Sequence, residues 1–228
     1  MFFYDWTLII LIPGVILALW AQSRVSHNFK KYSKEFSSRG YTGADVARIL
    51  LDYNGLKNVP VKQVRGNLTD HYDPRNKSLS LSESVYSSNS IAAIAVAAHE
   101  CGHAIQDKEN YSPMRVRGAL VPVANIGNYA SWILLLLGII LGLADLAMIG
   151  ILLFGAVVLF QLVTLPVEFN ASSRALAALE GGGFLTNEEM PGAKKVLKAA
   201  ALTYVAALVT AILSMLRLIL IFTNINRD

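Results

Sequence analysis

The sequence predicts a mainly α membrane protein, with four transmembrane helices and a small α+β domain between the first and the second of them. Three observations lead to this prediction. Hydrophobic residues make up 54% of the 228 residues and charged residues only 16%. The apolar residues fall into four long runs. Most of the basic residues, and a compact His-Glu-x-x-His motif, lie between the first two runs, where a water-exposed domain is expected.

Each apolar run is close to the about 20 residues that a helix needs to cross a bilayer. The first predicted span occupies 1–21. It lacks a basic leading region and a small-residue cleavage site, so we expect a retained anchor and not a signal peptide. Two further spans share 119–167 and are joined by a short link at 142–145. The fourth occupies 199–223, where Arg217 lies near the far end and can snorkel toward the membrane surface.

The basic residues set the expected orientation. Fourteen of the 20 Lys and Arg lie from Arg24 to Arg117, and four more lie in the segment 168–198. Because cytoplasmic loops are enriched in Lys and Arg, the segments 22–118 and 168–198 are predicted to be cytoplasmic and both termini outside. The formal net charge of +4 follows from this orientation, so no nucleic-acid partner is expected. The single cysteine agrees with a reducing compartment.

The motif His-Glu-Cys-Gly-His at 99–103 is the strongest chemical signal in the chain. We expect it on a helix over 90–106, which places His99 and His103 on one face, where both rings can reach one metal ion. Glu100 lies one step around the helix, where it can contact a water on that metal and act as a catalytic base. Only eight apolar residues precede the motif, so this helix is too short to cross a bilayer.

A catalytic zinc ion usually has three protein ligands, and the motif supplies two. The candidates for the third are two histidines of the first cytoplasmic segment and four glutamates of the second: His27, His71, Glu168, Glu180, Glu188 and Glu189. Glu168 stands out, because a carboxylate at the point where the third span leaves the membrane is costly unless something pairs with it. A glutamate exposed to lipid headgroups is the alternative. Cys101 points away from the ligand face and is predicted to be a packing residue.

Two stretches, AAHECGHAIQ at 97–106 and LPVEFNASSRALAAL at 165–179, together with the four spans, resemble the YugP-type family of membrane zinc metallopeptidases. That family is distantly similar to the HtpX and CAAX-prenyl-protease group of gluzincins. The resemblance covers the whole chain and implies a Zn²⁺ cofactor, a zincin-like cytoplasmic domain and Glu168 as the third ligand. Ser172 stands where the wider group has an Asp, so that residue's supporting hydrogen bond is expected to be absent, weaker or supplied elsewhere.

The rest of the first cytoplasmic segment is expected to form two helices and two strands, at 24–38, 42–54, 59–64 and 77–82. The resemblance to zincin-type proteases suggests that Ser78–Ser82 lines the cleft and pairs with extended substrate. His71 and Tyr72 are candidates for hydrogen bonds to a tetrahedral intermediate, with a structural role in a loop as the alternative. Arg174 is expected to pair with a carboxylate of the domain.

These features together predict a zinc-dependent metalloendopeptidase of the cell membrane. Its expected substrates are membrane-associated or misfolded proteins, cleaved at the cytoplasmic face, with His99, His103 and Glu168 as metal ligands and Glu100 as general base. Its expected partners are therefore a protein or peptide substrate and the lipid bilayer. A zinc-binding scaffold or sensor without proteolytic activity is the alternative. A metal transporter is disfavoured, because charged residues are nearly absent from the middle of the spans.

Overall fold

The structure is a computed structural model that describes residues 6–225. The first five residues of the first predicted span, and Arg227 in the tail, lie outside the described residues. After a 3₁₀ helix at Trp6–Leu11, the elements in chain order are α1 (Ile12–Tyr32), α2 (Gly43–Tyr53), β1 (Val61–Val64), β2 (His71–Asp73), β3 (Ser78–Ser82), α3 (Glu83–Tyr86), α4 (Ile91–Lys108), α5 (Ser112–Leu141), α6 (Ala144–Gly181) and α7 (Met190–Ile225).

Four helices of the described chain are long and apolar enough to cross a membrane, at Trp6–Tyr32, Ser112–Leu141, Ala144–Gly181 and Met190–Thr223. Together with the small three-stranded sheet, they confirm the predicted fold class. All four run past the predicted spans into polar sequence. In particular, α6 continues without a break from the third span through Glu168, so the predicted third ligand lies on a direct extension of a membrane helix.

The chain divides into two compact units. The first contains the described parts of Met1–Ala21, Arg115–Leu165 and Thr203–Asp228. Its helices approach closely at small residues, as is usual where helices meet in lipid. A Cβ atom added to Gly138, for example, would lie 2.5 Å from the backbone nitrogen of Ala147. Many large apolar side chains of this unit are exposed, which fits a surface that faces lipid.

The second unit contains Gln22–Met114 and Pro166–Leu202, and it holds all the predicted site residues. Its core forms where α2 packs on α4. The predicted helix at 42–54 is confirmed, with Thr42 and Asp45 forming a reciprocal capping box at its start. The predicted helix at 24–38 is too long. α1 ends at Tyr32, and Phe36 instead forms a β-bridge with Ser90.

The sheet corrects the prediction for the substrate strand. Its order is β1-β3-β2, with β1 parallel and β2 antiparallel to β3. Ser78–Ser82 is therefore the central strand, paired on both sides and buried along its whole length, so it cannot pair with a substrate. The three serines of this strand are buried, and Ser82 donates its hydroxyl hydrogen to the Asp70 carboxylate. The edge strands are β1 and β2.

Candidate metal centre

The helix α4 carries the motif and is buried almost throughout. Ser90 caps its start, where the Ala93 N–H donates to the serine hydroxyl at 3.2 Å. The alanine-rich segment that follows favours a helix, and its small side chains allow close packing on both sides. The observed helix, Ile91–Lys108, agrees with the predicted 90–106 to within two residues at its end.

Close contact between α4 and α6 brings the two halves of the site together. A Cβ atom added to Gly102 would lie only 2.7 Å from the backbone oxygen of Ala171. Only glycine permits this approach, because any side chain would have to push the two backbones apart. Since Gly102 lies within the motif and Ala171 lies three residues after Glu168, the contact fixes Glu168 beside the two histidines.

Three predicted ligands converge at this contact. Glu168 Oε2 lies 3.3 Å from His99 Nε2 and 3.6 Å from His103 Nε2. The candidate ligand atoms of the three residues all lie within 4.8 Å of one another. The Glu168 side chain is buried, with 2% of the residue exposed. Two imidazole nitrogens and one carboxylate oxygen form the donor set of a catalytic zinc site that keeps one position open, so these residues fit a zinc ion.

The other predicted candidates are outside this group. Within residues 6–225, the cluster of possible metal ligands contains neither His27 nor His71. His71 is exposed, and its Nδ1 contacts the backbone oxygen of Thr69 at 2.8 Å. Cys101 is buried, and its thiol points to the backbone oxygen of Ala47. Burial raises the pKa of that thiol, as expected for the predicted packing residue.

Both histidines are held at Nδ1, which leaves Nε2 facing Glu168. His103 Nδ1 lies 3.0 Å from the side-chain oxygen of Gln106, and His99 Nδ1 lies 3.2 Å from the hydroxyl of Ser172. In the metal-binding tautomer each Nδ1–H donates to that oxygen, which orients the ring. The wider group has an Asp at the position of Ser172, and the serine hydroxyl contacts His99 here in its place.

Electrostatics also couple His103 to its neighbours. Burial alone would lower the pKa of His103, but hydrogen bonding to the Glu168 carboxylate and the nearby Glu100 charge raise it above its ordinary value. The same carboxylate that would hold a metal therefore favours a proton on the ring. Zinc binding must displace that proton, because a histidine ligand is neutral.

Gln106 is a site residue that the sequence reasoning missed. It is completely buried, and its side-chain nitrogen donates to the backbone oxygen of Val167 and to Asn170 Oδ1, at 2.8 and 2.9 Å. The same Asn170 oxygen accepts a hydrogen bond from Arg174. Gln106 thus ties His103 to the helix that carries Glu168. The sequence does contain a signal for Gln106. It lies three residues after His103, and this spacing places both side chains on the same face of the helix.

Arg174 completes this network at the surface. Its guanidinium donates to Glu109 Oε2 at 2.7 Å, beyond the end of α4. The prediction that Arg174 pairs with a carboxylate of the domain is therefore confirmed. The pair is partly exposed, so its own contribution to stability is small.

We expect Gln106→Met to weaken zinc binding by about 10–100-fold, the usual cost of removing a contact that orients a metal ligand. Methionine keeps the length of the side chain but cannot hold His103 Nδ1 or bond to α6. Competition with a chelating dye would measure the affinity. Gln63→Met, at an exposed position on β1, is the matched control. Equal affinities for the two variants would show that Gln106 does not position the ligand.

Glu100 lies at the sheet edge beside the ligand group. Its Oε2 accepts a hydrogen bond from the backbone N–H of Tyr72, on β2, at 3.0 Å. Its Oε1 has no hydrogen bond among the described residues, and the residue is 8% exposed. One oxygen is therefore fixed by the protein, while the other is available to a water molecule or a substrate.

Neither predicted donor to the intermediate joins this group. The Tyr72 hydroxyl donates to Asp107 Oδ2 at 2.7 Å, and Lys77 contacts the same oxygen. Burial and this hydrogen bond to Asp107 raise the pKa of the Tyr72 phenol, so its proton stays in place. His71 lies on the exposed side of β2. Tyr72 instead contributes its backbone N–H, a role that no side-chain motif can reveal.

The comparison with known proteins identifies the family. Residues 7–223 match the family model described as "Putative neutral zinc metallopeptidase". The chain belongs to this family. It is also 51% identical over 217 residues to the "Putative membrane protease YugP" of Bacillus subtilis (strain 168), covering 95% of this chain and 96% of that protein. No solved structure matches.

These matches confirm the predicted resemblance to YugP-type proteins and zinc as the cofactor, for which the chain has a fitting group of ligands. Family membership also supports a protease in the membrane. The more distant similarity to the HtpX and CAAX-prenyl-protease group stays a prediction. The roles of the individual site residues stay predictions, and the geometry given above supports them.

Proposed function

We propose that this chain is a membrane-embedded zinc metalloendopeptidase that hydrolyses peptide bonds of membrane-associated or misfolded proteins at the cytoplasmic face. One observation carries the proposal. His99, His103 and Glu168 converge with their donor atoms within 4.8 Å, and the adjacent Glu100 keeps one carboxylate oxygen available. A scaffold or sensor would need the metal ligands, but it would have no use for a carboxylate held in this position.

The roles proposed for the metal ligands, Glu100 and Tyr72 follow from the geometry of the site. Zinc, when bound by His99, His103 and Glu168, supplies a Lewis acid that makes water a better nucleophile and polarises the scissile carbonyl. Glu100 accepts the proton of the attacking water at Oε1 and passes it to the leaving amine nitrogen. The Tyr72 N–H holds Oε2 and so fixes the direction of Oε1. Because the ligand cluster is largely buried, bulk water has little access to the reacting groups.

The edge strand β2 is the proposed guide for the substrate. The Tyr72 N–H bonds to Glu100 and not to β3, so the outer edge of β2 faces the catalytic carboxylate. An extended peptide that pairs along this edge would run past Glu100, whereas the central strand Ser78–Ser82 has no free edge. Strand addition of this kind recognises backbone more than side chains, which suits substrates of varied sequence.

Metal removal tests the proposed activity. We expect the purified full chain to cleave an unfolded protein such as casein, to lose all measurable cleavage when a chelator removes the metal, and to recover it when one equivalent of zinc is returned. Inductively coupled plasma mass spectrometry of the same samples gives the metal content. Stoichiometric zinc without cleavage of soluble or membrane-inserted substrates would instead support the scaffold or sensor.

We also propose that the segments 22–118 and 168–198 are cytoplasmic, on the strength of their basic residues. An impermeant maleimide reagent should then label Asp145→Cys in intact cells, and label Lys62→Cys only after the membrane is permeabilised. Both positions are exposed, and the native Cys101 is buried and should stay unlabelled. The reverse labelling pattern would place the catalytic unit on the other side of the membrane.

A further inference from the structure

An open groove outside the ligand cluster lies between α6 and α7 and has a volume of about 450 Å³. Its walls are mainly apolar, and two lysines and two serines are among the residues that line it. The residues that matter here are Phe169, Ser172, Leu197, Ala201, Lys194 and Lys198. All of them belong to the second unit. Neither the ligand cluster nor the proposed mechanism uses this groove.

The groove carries two positive charges without a matching negative one. Lys194 and Lys198 are one helical turn apart on α7, so both point to the same side. Both are exposed, and neither forms a salt bridge within residues 6–225. None of the residues that line the groove is acidic. An anionic group bound beside α7 would therefore meet two lysines and no carboxylate of the groove wall.

The apolar walls of the groove indicate that its ligand has an apolar part as well as a negative charge. Lys194 and Lys198 directly precede the apolar segment of α7, and Ala201 continues the groove into that segment. On α6, Phe169 lies just after the third span and is half exposed. A ligand that fits this order has a negative head at the lysines and an apolar tail along the membrane part of the helix. A phospholipid has this shape, whereas a free anion would leave the apolar walls unfilled.

We propose that this groove binds an anionic phospholipid, with its phosphate between Lys194 and Lys198 and an acyl chain against Phe169, Leu197 and Ala201. Basic pockets beside membrane helices bind anionic headgroups through charge attraction of this kind. The site adjoins the metal centre, because Ser172 lines the groove and also contacts His99 Nδ1. A lipid in the groove would therefore contact the same helix that carries Glu168. The proposal does not depend on peptidase activity.

Native mass spectrometry of the delipidated full chain in detergent tests the site. Dioleoylphosphatidylglycerol is the probe, dioleoylphosphatidylcholine is the neutral comparison and glycerol 3-phosphate is the free-phosphate comparison. The test variant combines Lys194→Gln with Lys198→Gln. The matched control combines Lys195→Gln with Lys62→Gln, two exposed lysines of the same unit that do not line the groove.

We expect the test variant to bind the anionic lipid about thirtyfold more weakly than the wild type. Each lysine near a headgroup raises the affinity on the order of fivefold, and the variant lacks two of them. The control should bind like the wild type, and glycerol 3-phosphate should not compete. Equal binding by test and control variants would overturn the proposal, as would competition by glycerol 3-phosphate. Unchanged lipid binding with reduced cleavage of casein would show that the groove holds a polypeptide instead.

Discussion

Replacing Glu100 by glutamine is expected to lower kcat/KM for peptide cleavage by about 10²–10⁴-fold, the range that general acid–base catalysis supplies. Zinc content should stay at the wild-type level, because Glu100 is not among the residues of the ligand cluster. The amide oxygen of the glutamine can still accept the hydrogen bond from the Tyr72 N–H, so the local structure is kept. What is lost is the ability to take a proton from water.

Glu83→Gln is the control for this substitution, since Glu83 is an exposed carboxylate of the same unit. Cleavage rates and zinc content should be measured on both variants at the same pH. If the Glu100 variant cleaves as fast as the control, another group activates the water and the assigned mechanism is wrong. If the variant loses zinc, Glu100 supports the metal site and its catalytic role must be tested by another substitution.

Replacing Glu168 by alanine is expected to abolish stoichiometric zinc binding and, with it, cleavage. The two remaining ligands lie on one helix and leave the metal with half of its four coordination positions. The loss should exceed the about 10–100-fold expected when only an orienting contact is removed, as in Gln106→Met. Zinc content after dialysis, and affinity by dye competition, measure the effect.

Glu180→Ala is the matched control, because Glu180 is an exposed glutamate on the same helix α6. Circular dichroism of both variants establishes that the helices are intact. Full zinc affinity in the Glu168 variant would mean that the third ligand lies elsewhere, and His71 would then be the next residue to test. Selective loss of zinc would show that the two halves of the site, 65 residues apart in sequence, act together.

The parts of this protein that the sequence predicts are those governed by local rules. Membrane length and apolar composition identify the four spans, and helical periodicity puts His99 and His103 on one face. Glu168 is also accessible to sequence reasoning, because a carboxylate at a membrane boundary needs a partner. The cap at Thr42 follows from a short local pattern. Each of these inferences needs only a few neighbouring residues.

The parts that the sequence does not predict depend on contacts between distant segments. The resemblance implies that Ser78–Ser82 pairs with substrate, but both edges of this strand are already paired, with β1 and with β2. The short strand at His71–Asp73 follows a polar loop and has no alternating pattern of its own. Gln106 matters through Val167 and Asn170, about 60 residues away. No local rule shows that these segments meet.

The central claim is that one zinc ion lies where the motif helix meets the extension of the third span. Anomalous diffraction from crystals of the zinc-loaded chain, recorded on both sides of the zinc absorption edge, tests it most directly. The account predicts one strong anomalous peak per chain, bounded by His99 Nε2, His103 Nε2 and Glu168. A peak at any other position, or at the two histidines with Glu168 turned away, would contradict it.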